Sequence, residues 1–157
     1  MRRISITLPN YNSVKYLSRV IDAFLMQDYP NKRMFIVDGK STDGSHDVIR
    51  KYSEIHPEVI WIRQEDRGIS NSINISLDYV NEDDVWGYLG ADDLLMPGVL
   101  GKVCSIFSVA KTANAIYFDS YSLNQDLGSI NLRHCPGAEF STKSLVRHGT
   151  IVGLQNI

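Results

Sequence analysis

Two adjacent carboxylates, Asp92-Asp93, close the apolar run Val85-Trp86-Gly87-Tyr88-Leu89 and are the strongest chemical signal in the sequence. Neighbouring like charges repel, so the pair needs either bulk solvent or a cation that neutralises it. Mg²⁺ and Mn²⁺ take oxygen ligands and commonly sit between one or two carboxylates and substrate phosphates. The pattern alone leaves both options open, because solvated acidic runs are common. Glu82-Asp83-Asp84, between a predicted helix and a predicted strand, is such a run. Asp38 ends a second apolar run, Met34-Phe35-Ile36-Val37. A carboxylate there can accept a hydrogen bond from a ring N–H of a pyrimidine, or close an Asx turn on the Gly39 and Ser41 amides. Tyr11, beyond the first apolar run, can cover a base ring or stand as a half-buried loop aromatic.

Other motifs carry less. Gly39-Lys40-Ser41-Thr42 looks like the tail of a phosphate-binding loop, but that motif needs glycine at position 34, which is Met. No G-x-G-x-x-G follows the first strand, so a dinucleotide fold has no support. Asn74-Ile75-Ser76 is a glycosylation sequon by chance, inside a predicted helix. Cys104 and Cys135 lack CxxC spacing and are expected to be free thiols in a reducing compartment.

The elements that must position these residues follow from periodicity. Residues 3–8 form a strand that is expected to stop at Pro9. Asn10-Tyr11-Asn12-Ser13 is turn chemistry with an N-cap candidate, and Val14, Leu17, Ile21, Phe24 and Leu25 recur at helical spacing. Strand 34–37 is followed by a helix marked by Val48, Tyr52 and Ile55. Strand 59–62 is followed by one marked by Ile69, Ile73, Leu77 and Val80. Strand 85–89 is followed by one marked by Leu100, Val103, Phe107 and Ala110, and a fifth strand is expected at 115–118. Weaker alternation marks strands near 121–125 and 129–134. Strands alternating with helices imply an α/β fold with a mostly parallel sheet. In such sheets ligands bind beyond the carboxyl ends of the strands, where Tyr11, Asp38, Asp66 and Asp92-Asp93 all fall.

The chain has 157 residues, 43% hydrophobic and 22% charged, which fits an ordinary globular domain rather than a disordered or coiled-coil chain. Lys+Arg is 16 against Asp+Glu 18, so the basic excess of a nucleic-acid binder is missing. No apolar run approaches the ~20 residues of a membrane span, and the N-terminal stretch lacks the apolar core of a signal peptide. A cytoplasmic location follows as the expectation.

In order and spacing over residues 3–100, five stretches together resemble the family 2 glycosyltransferases, which use the Rossmann-like nucleotide-sugar-binding fold called GT-A. They are Ile6-Thr7-Leu8-Pro9-Asn10-Tyr11-Asn12-Ser13, Gln27-Asp28-Tyr29-Pro30, Val37-Asp38-Gly39-Lys40-Ser41-Thr42-Asp43-Gly44-Ser45, Asp66-Arg67-Gly68-Ile69-Ser70 and Gly87-Tyr88-Leu89-Gly90-Ala91-Asp92-Asp93. The nearest group is the bacterial enzymes that build surface polysaccharides. The resemblance implies metal-dependent transfer of a sugar, with inversion, from a nucleotide-sugar donor (a UDP-sugar first) to a glycan or lipid-linked acceptor. By the same resemblance Pro9 and Tyr11 would line the nucleotide pocket, Asp38 would read the base, and Asp66, Arg67 and Gly68 would border the nucleotide. Asp92 would contact ribose or sugar hydroxyls, and Asp93 would hold the divalent cation, Mn²⁺ or Mg²⁺. Gly90 stands where many members have Asp or Asn, and Asn71-Ser72 where many have Asp-Ala.

On this basis residues 1–120 are expected to form the donor-binding region and 121–157 the start of an acceptor region, truncated, within one structural domain. The general base is not identified. Asp119 and Glu139 are the weak candidates, and His134 and His148 read as surface residues. The alternative is a nucleotide-sugar-binding fragment that lacks its acceptor half. Peripheral association at the inner face of a membrane, and self-association through apolar surface left open, complete the expectations.

Overall fold

The computed structural model of the chain describes residues 2–65, 67–110, 112–113, 115–116, 118–124 and 128–134. The chain divides into two compact units, Met1–Lys111 and Thr112–Ile157. The first unit runs β1 (Ile4–Asn10), α1 (Val14–Leu25), β2 (Lys32–Asp38), α2 (Ser45–Ile55), β3 (Val59–Arg63), α3 (Ile69–Leu77), β4 (Val85–Tyr88) and α4 (Val99–Val109). Its strands form one parallel sheet in the order β3-β2-β1-β4. The second unit contributes an antiparallel hairpin, β5 (Ser120–Asn124) and β6 (Ser129–Arg133), with Ser120 opposite Arg133.

The fifth parallel strand expected at 115–118 does not form: residues 115, 116 and 118 lie outside any strand. A four-residue apolar run has no periodicity of its own to distinguish a strand from buried coil. The weaker alternation at 121–125 and 129–134 corresponds instead to the real hairpin.

β1 reads Ile-Ser-Ile-Thr-Leu, and the period-2 pleat sends these residues to two different layers. Ile4, Ile6 and Leu8 join Met34 and Ile36 of β2 in the apolar core under Leu17, Val20, Ile21 and Phe24 of α1. On the other face Ser5 and Thr7 are fully buried but polar. The Thr7 hydroxyl shares a 2.5 Å hydrogen bond with Ser76 of α3 and accepts one from Trp86 Nε1 at 2.9 Å. The apolar row that predicts α3 is therefore not its buried row. Ile69 and Leu77 are 62% and 41% exposed, while Ser72 and Ser76, one turn apart, face the sheet. Small side chains bring the helix close to a strand that carries Ser and Thr.

β1 does not stop at Pro9. It continues to Asn10, pairing Pro9 with Val37 and Asn10 with Asp38 of β2. The missing N–H falls on the other side. Arg3 and Thr7, which share the pleat parity of Pro9, accept bonds from Val85 and Leu89 on the β4 side. Pairing of β1 with β4 ends at Thr7–Tyr88. A proline at position 9 thus costs no bond to β2 and leaves the β1–β4 ladder nothing to extend with.

The polar layer is held by charge. Arg33 of β2 and Asp84 make a 2.7 Å ion pair, their side chains only 16% and 4% exposed. Ser5 Oγ donates to Asp84 Oδ2 at 2.7 Å and accepts from Arg33 Nε at 2.8 Å. Burial works to raise the Asp84 carboxyl, but the Ser5 hydroxyl, the Asn81 amide and Arg33 outweigh it and hold the group below the usual carboxylate range. Asp84→Asn is expected to destabilise the fold by about 3 kcal/mol, since it strands a buried guanidinium. A group with a depressed folded pKa contributes stability above its unfolded value, ~3.9, and loses it as the pH falls through the folded value. Denaturant melts of both proteins should therefore differ fully at neutral pH and converge in acid; an equal gap at pH 7 and in strong acid would contradict the role given to the ion pair.

Candidate functional site

The sheet reverses its winding between β1 and β4, since β2 and β3 lie on one side of β1 and β4 on the other. Open α/β sheets bind ligands at such a switch point. A cleft of about 340 Å³ opens there, lined by Pro9, Asn10, Tyr11, Ser13, Tyr16, Gly68, Ile69, Ser72, Tyr88, Gly90, Ala91 and Asp92. Four of the residues singled out in the sequence, Pro9, Tyr11, Gly68 and Asp92, meet in this one cleft. Tyr11 is 55% exposed, so its ring is available as a flat apolar surface.

The loop after β1 and the loop after β2 are tied into one body. Asp38, fully buried at the end of β2, is the knot. Its Oδ1 accepts from Asn10 Nδ2 at 2.8 Å and from the Ser41 hydroxyl at 2.5 Å. Its Oδ2 accepts from the Ser41 amide at 3.2 Å and faces His46 Nε2 at 2.9 Å. Ser41 Oγ in turn accepts from the Asn12 amide at 2.9 Å, and Asn12 Oδ1 accepts from the Thr42 amide at 2.8 Å. The Ser41 part of the Asx-turn alternative is therefore present, whereas the Gly39 amide goes to the Asn10 carbonyl instead. Asn12 and Lys40 both sit at positive φ, 51° and 58°, in these loops, and the network holds them there.

Ser13 does not cap α1 with its side chain. Asp43 replaces it from the neighbouring loop, accepting from the Val14 amide at 2.8 Å and from the Ser45 amide at 3.0 Å. One carboxylate thereby serves the first turns of both α1 and α2, where the helix dipoles favour negative charge. Burial opposes ionisation of Asp43, but the Ser45 hydroxyl and these amides prevail and hold its pKa down.

Asp92 and Asp93 fold back against Gly90. A Cβ at position 90 would stand 2.7 Å from Asp93 Oδ2 and 3.0 Å from Asp92 Oδ1, so any side chain there displaces the pair. Glycine at this position is what lets both carboxylates lie so close to the backbone. Burial, and then the charge of Asp92, push the Asp93 carboxyl up to about 6. Burial and the charge of Asp93 raise the Tyr88 phenol as well. Asp92 lines the cleft and Asp93, next in the chain, does not; the oxygen donors of the pair suit Mg²⁺ or Mn²⁺. Among the described residues no group of three or more His, Cys, Asp and Glu converges. A cation held here would take its remaining ligands from a bound phosphate group and water, as those ions commonly do.

The remaining expectations fall elsewhere. Asp66 and Glu139 lie outside the described residues, as do Cys135 and His148. Arg67 is 73% exposed, 4.0 Å from Glu65, and does not line the cleft. Asp119 pairs with His134 at 3.1 Å in the second unit, with both side chains well exposed. Cys104 is a free thiol, half-buried, receiving a hydrogen bond from the Tyr29 hydroxyl. Sequence reasoning missed Asn10, Ser13, Tyr16, Ser72 and Tyr88 as cleft residues. Asn10 and Ser13 flank Tyr11 in the same motif, and Tyr16 lies in the first turn of α1, so proximity in sequence was the signal available. Among the described residues no helix is long and apolar enough to cross a membrane.

Comparison with known proteins fits this geometry. An uncharacterized glycosyltransferase of Nostoc sp. is 32% identical over 73% of the chain and 36% of its own length. The chondroitin synthase of Pasteurella multocida is 28% identical over 90% of the chain and 14% of its own. The chain thus spans about a third of these relatives or less. A mannosyltransferase of Pyrobaculum calidifontis, solved with GDP-Man and Mn²⁺, superposes with TM-score 0.63 at 23% identity over 79% of the chain and 36% of its own. TarS of Staphylococcus aureus, solved with UDP-GlcNAc, gives 0.59 at 19% identity over 77% and 33%. Both structures share the GT-A fold seen here. The sequence pattern described as "Glycosyl transferase family 2" matches residues 5–145, and the chain belongs to that family.

Proposed function

We propose that the cleft between the ends of β1 and β4 binds the nucleotide-sugar donor of a metal-dependent, inverting glycosyl transfer. The observation that carries this is the meeting of Pro9 and Tyr11, Gly68, and Asp92, from three separated segments, at the switch point of the sheet. The UDP-GlcNAc of TarS and the GDP-Man and Mn²⁺ of the mannosyltransferase support a nucleotide-sugar and a divalent ion. A UDP-sugar is the first candidate.

In this reading Tyr11 offers its ring to the base, and the Asp38 knot fixes the loops that shape that end of the cleft. Gly68 lets the chain pass near the diphosphate without a side chain, at a φ of 86° that other residues resist. Arg67, exposed and outside the cleft lining, and Asp66 are assigned to the border of the nucleotide by family resemblance alone. Asp92 hydrogen-bonds ribose or sugar hydroxyls. Asp93 is the ligand for the cation, which when bound stabilises negative charge on the departing nucleoside diphosphate. The acceptor is a glycan or a lipid-linked sugar, in keeping with the chondroitin synthase relative. Asp119 and Glu139 are the first residues to test as the base that takes the acceptor proton.

Calorimetry with uridine diphosphate and Mn²⁺ should show binding that weakens when the ion is chelated, and Asp93→Asn should abolish the difference. Equal affinity with and without metal would remove Asp93 from that role. Asp38→Asn should weaken uridine diphosphate more than pyrophosphate, by ~1–3 kcal/mol, because the substituted amide no longer orients its partners as an acceptor only. An equal loss for both ligands would leave Asp38 a purely structural turn residue.

A general base is worth ~10²–10⁴-fold in such transfers. The 157-residue chain covers only part of its relatives. Substituting the base, Asp119→Asn or Glu139→Gln first, is expected to lower glycoside formation by that factor while slow release of free sugar from the donor persists. Robust product formation with a panel of glycan acceptors would show that the base lies within these residues.

A further inference from the structure

The stretch Gln27-Asp28-Tyr29-Pro30 follows α1, and none of its residues lines the cleft. Gln27 is nevertheless only 4% exposed, and both the nitrogen and the oxygen of its side-chain amide are engaged. Nε2 donates to the Ala23 carbonyl in the last turn of α1 and to the Met96 carbonyl, each at 3.1 Å. Oε1 accepts from the Leu100 amide in the first turn of α4 at 3.4 Å. A carbonyl only accepts and a backbone N–H only donates, so these partners fix the orientation of the group. α4 has no side-chain cap of its own at Gly98, and Gln27 supplies an acceptor for its first turn from the end of another helix. The backbone of Gln27 is held in turn, since its carbonyl accepts from Lys32 Nζ at 2.5 Å and from the Tyr29 amide at 2.8 Å. Tyr29, 3% exposed, holds α4 further along, its hydroxyl 3.0 Å from Cys104 Sγ.

Residues 89–98, between β4 and α4, form neither helix nor strand, and they carry Asp92-Asp93. At the start of this loop the Leu89 amide bonds the Thr7 carbonyl at 2.9 Å. At its end the Met96 carbonyl and the Leu100 amide are both bound by Gln27. The Met96 side chain is 58% exposed, so it is the carbonyl and not apolar packing that holds this residue. We propose that Gln27 is a positioning residue for the cation site. By anchoring Met96, three positions after Asp93, and the start of α4, it sets how the loop presents its two carboxylates to a divalent ion. Adjacent carboxylates repel, and no sheet ladder holds this loop against that repulsion. Groups that orient metal ligands are worth ~10–100-fold in metal affinity. Gln27 acts through the backbone, so the lower figure applies. The proposal rests on the reading of Asp93 as the cation ligand.

The test is titration calorimetry of the 157-residue chain with uridine diphosphate, in Mn²⁺ and in chelator, alongside hydrogen exchange of the loop amides, on the wild type, Gln27→Met and Gln27→Asn. Methionine fills the same space and makes none of the three bonds. Asparagine keeps the amide but is one carbon too short to span from Ala23 to α4, and it serves if the methionine variant does not fold. The affinity gained on adding Mn²⁺ should fall roughly tenfold in the variants, binding in chelator should hold, and exchange at residues 94–100 should quicken. Asp84→Asn, which weakens the fold at the other end of β4, should keep the full Mn²⁺ gain; a loss there would mark the effect as one of stability and overturn the proposal. A full Mn²⁺ gain or unchanged exchange in a folded Gln27 variant, or equal losses with and without the ion, also overturns it and leaves Asp93 as the cation ligand. A wild type that binds equally with and without Mn²⁺ overturns the assignment of Asp93, and the proposal with it.

Discussion

A carboxylate with no exposure to water has to be surrounded by donors, and Asp38 imposes that demand on everything near it. Asn10, Ser41 and His46 meet it, and in meeting it they join the end of β1 to the loop after β2 and to the first turn of α2. The left-handed backbone at Asn12 and Lys40 persists because the same network encloses it. Asp43 continues the join by serving α1 and α2 together. The cleft has one rigid wall because these bonds form a closed set. Remove the central acceptor and each loop keeps its local turn but not its position against the other.

The opposite wall is built on different terms. Pro9 ends the ladder to β4 without disturbing the one to β2, so the sheet parts where the winding reverses. Gly90 then lets two carboxylates lie against the backbone at the end of β4, and partial burial, then the charge of Asp92, raise Asp93. Asymmetry is built into the site. One side is neutralised internally by donors, and the other carries two adjacent carboxylates.

Much of this was legible in the sequence because the β-α alternation and the strand-end residues are both local signals. The apolar runs 34–37, 59–62 and 85–89 became strands, and Pro9, Tyr11, Gly68 and Asp92 came together as a parallel sheet requires. What was hidden depended on partners distant in sequence. Whether Pro9 ends a strand depends on which neighbour stops pairing. The buried row of α3 depends on Ser5 and Thr7 lying beneath it, and the hydrophobic period pointed the wrong way. Asn10 looked like turn chemistry, and only its contact with Asp38, twenty-eight positions along, shows it joining two loops. The fifth strand was overread from four apolar residues, while the hairpin of the second unit matched its weaker pattern.

The hydroxyl-rich seam between α3 and β1 has a consequence for how this enzyme family member could diverge. Apolar packing penalises nearly every change of shape, but a seam of Ser72, Ser76, Thr7 and Ser5 involves little buried hydrocarbon and few interlocking methyl groups. Residues on the remaining faces of α3, Ile69 and Asn71 among them, can change with little loss of folding stability. That helix borders the cleft through Gly68, Ile69 and Ser72. Selection can therefore alter one side of the cleft on a mutationally tolerant helix while the other side stays locked by its buried carboxylate.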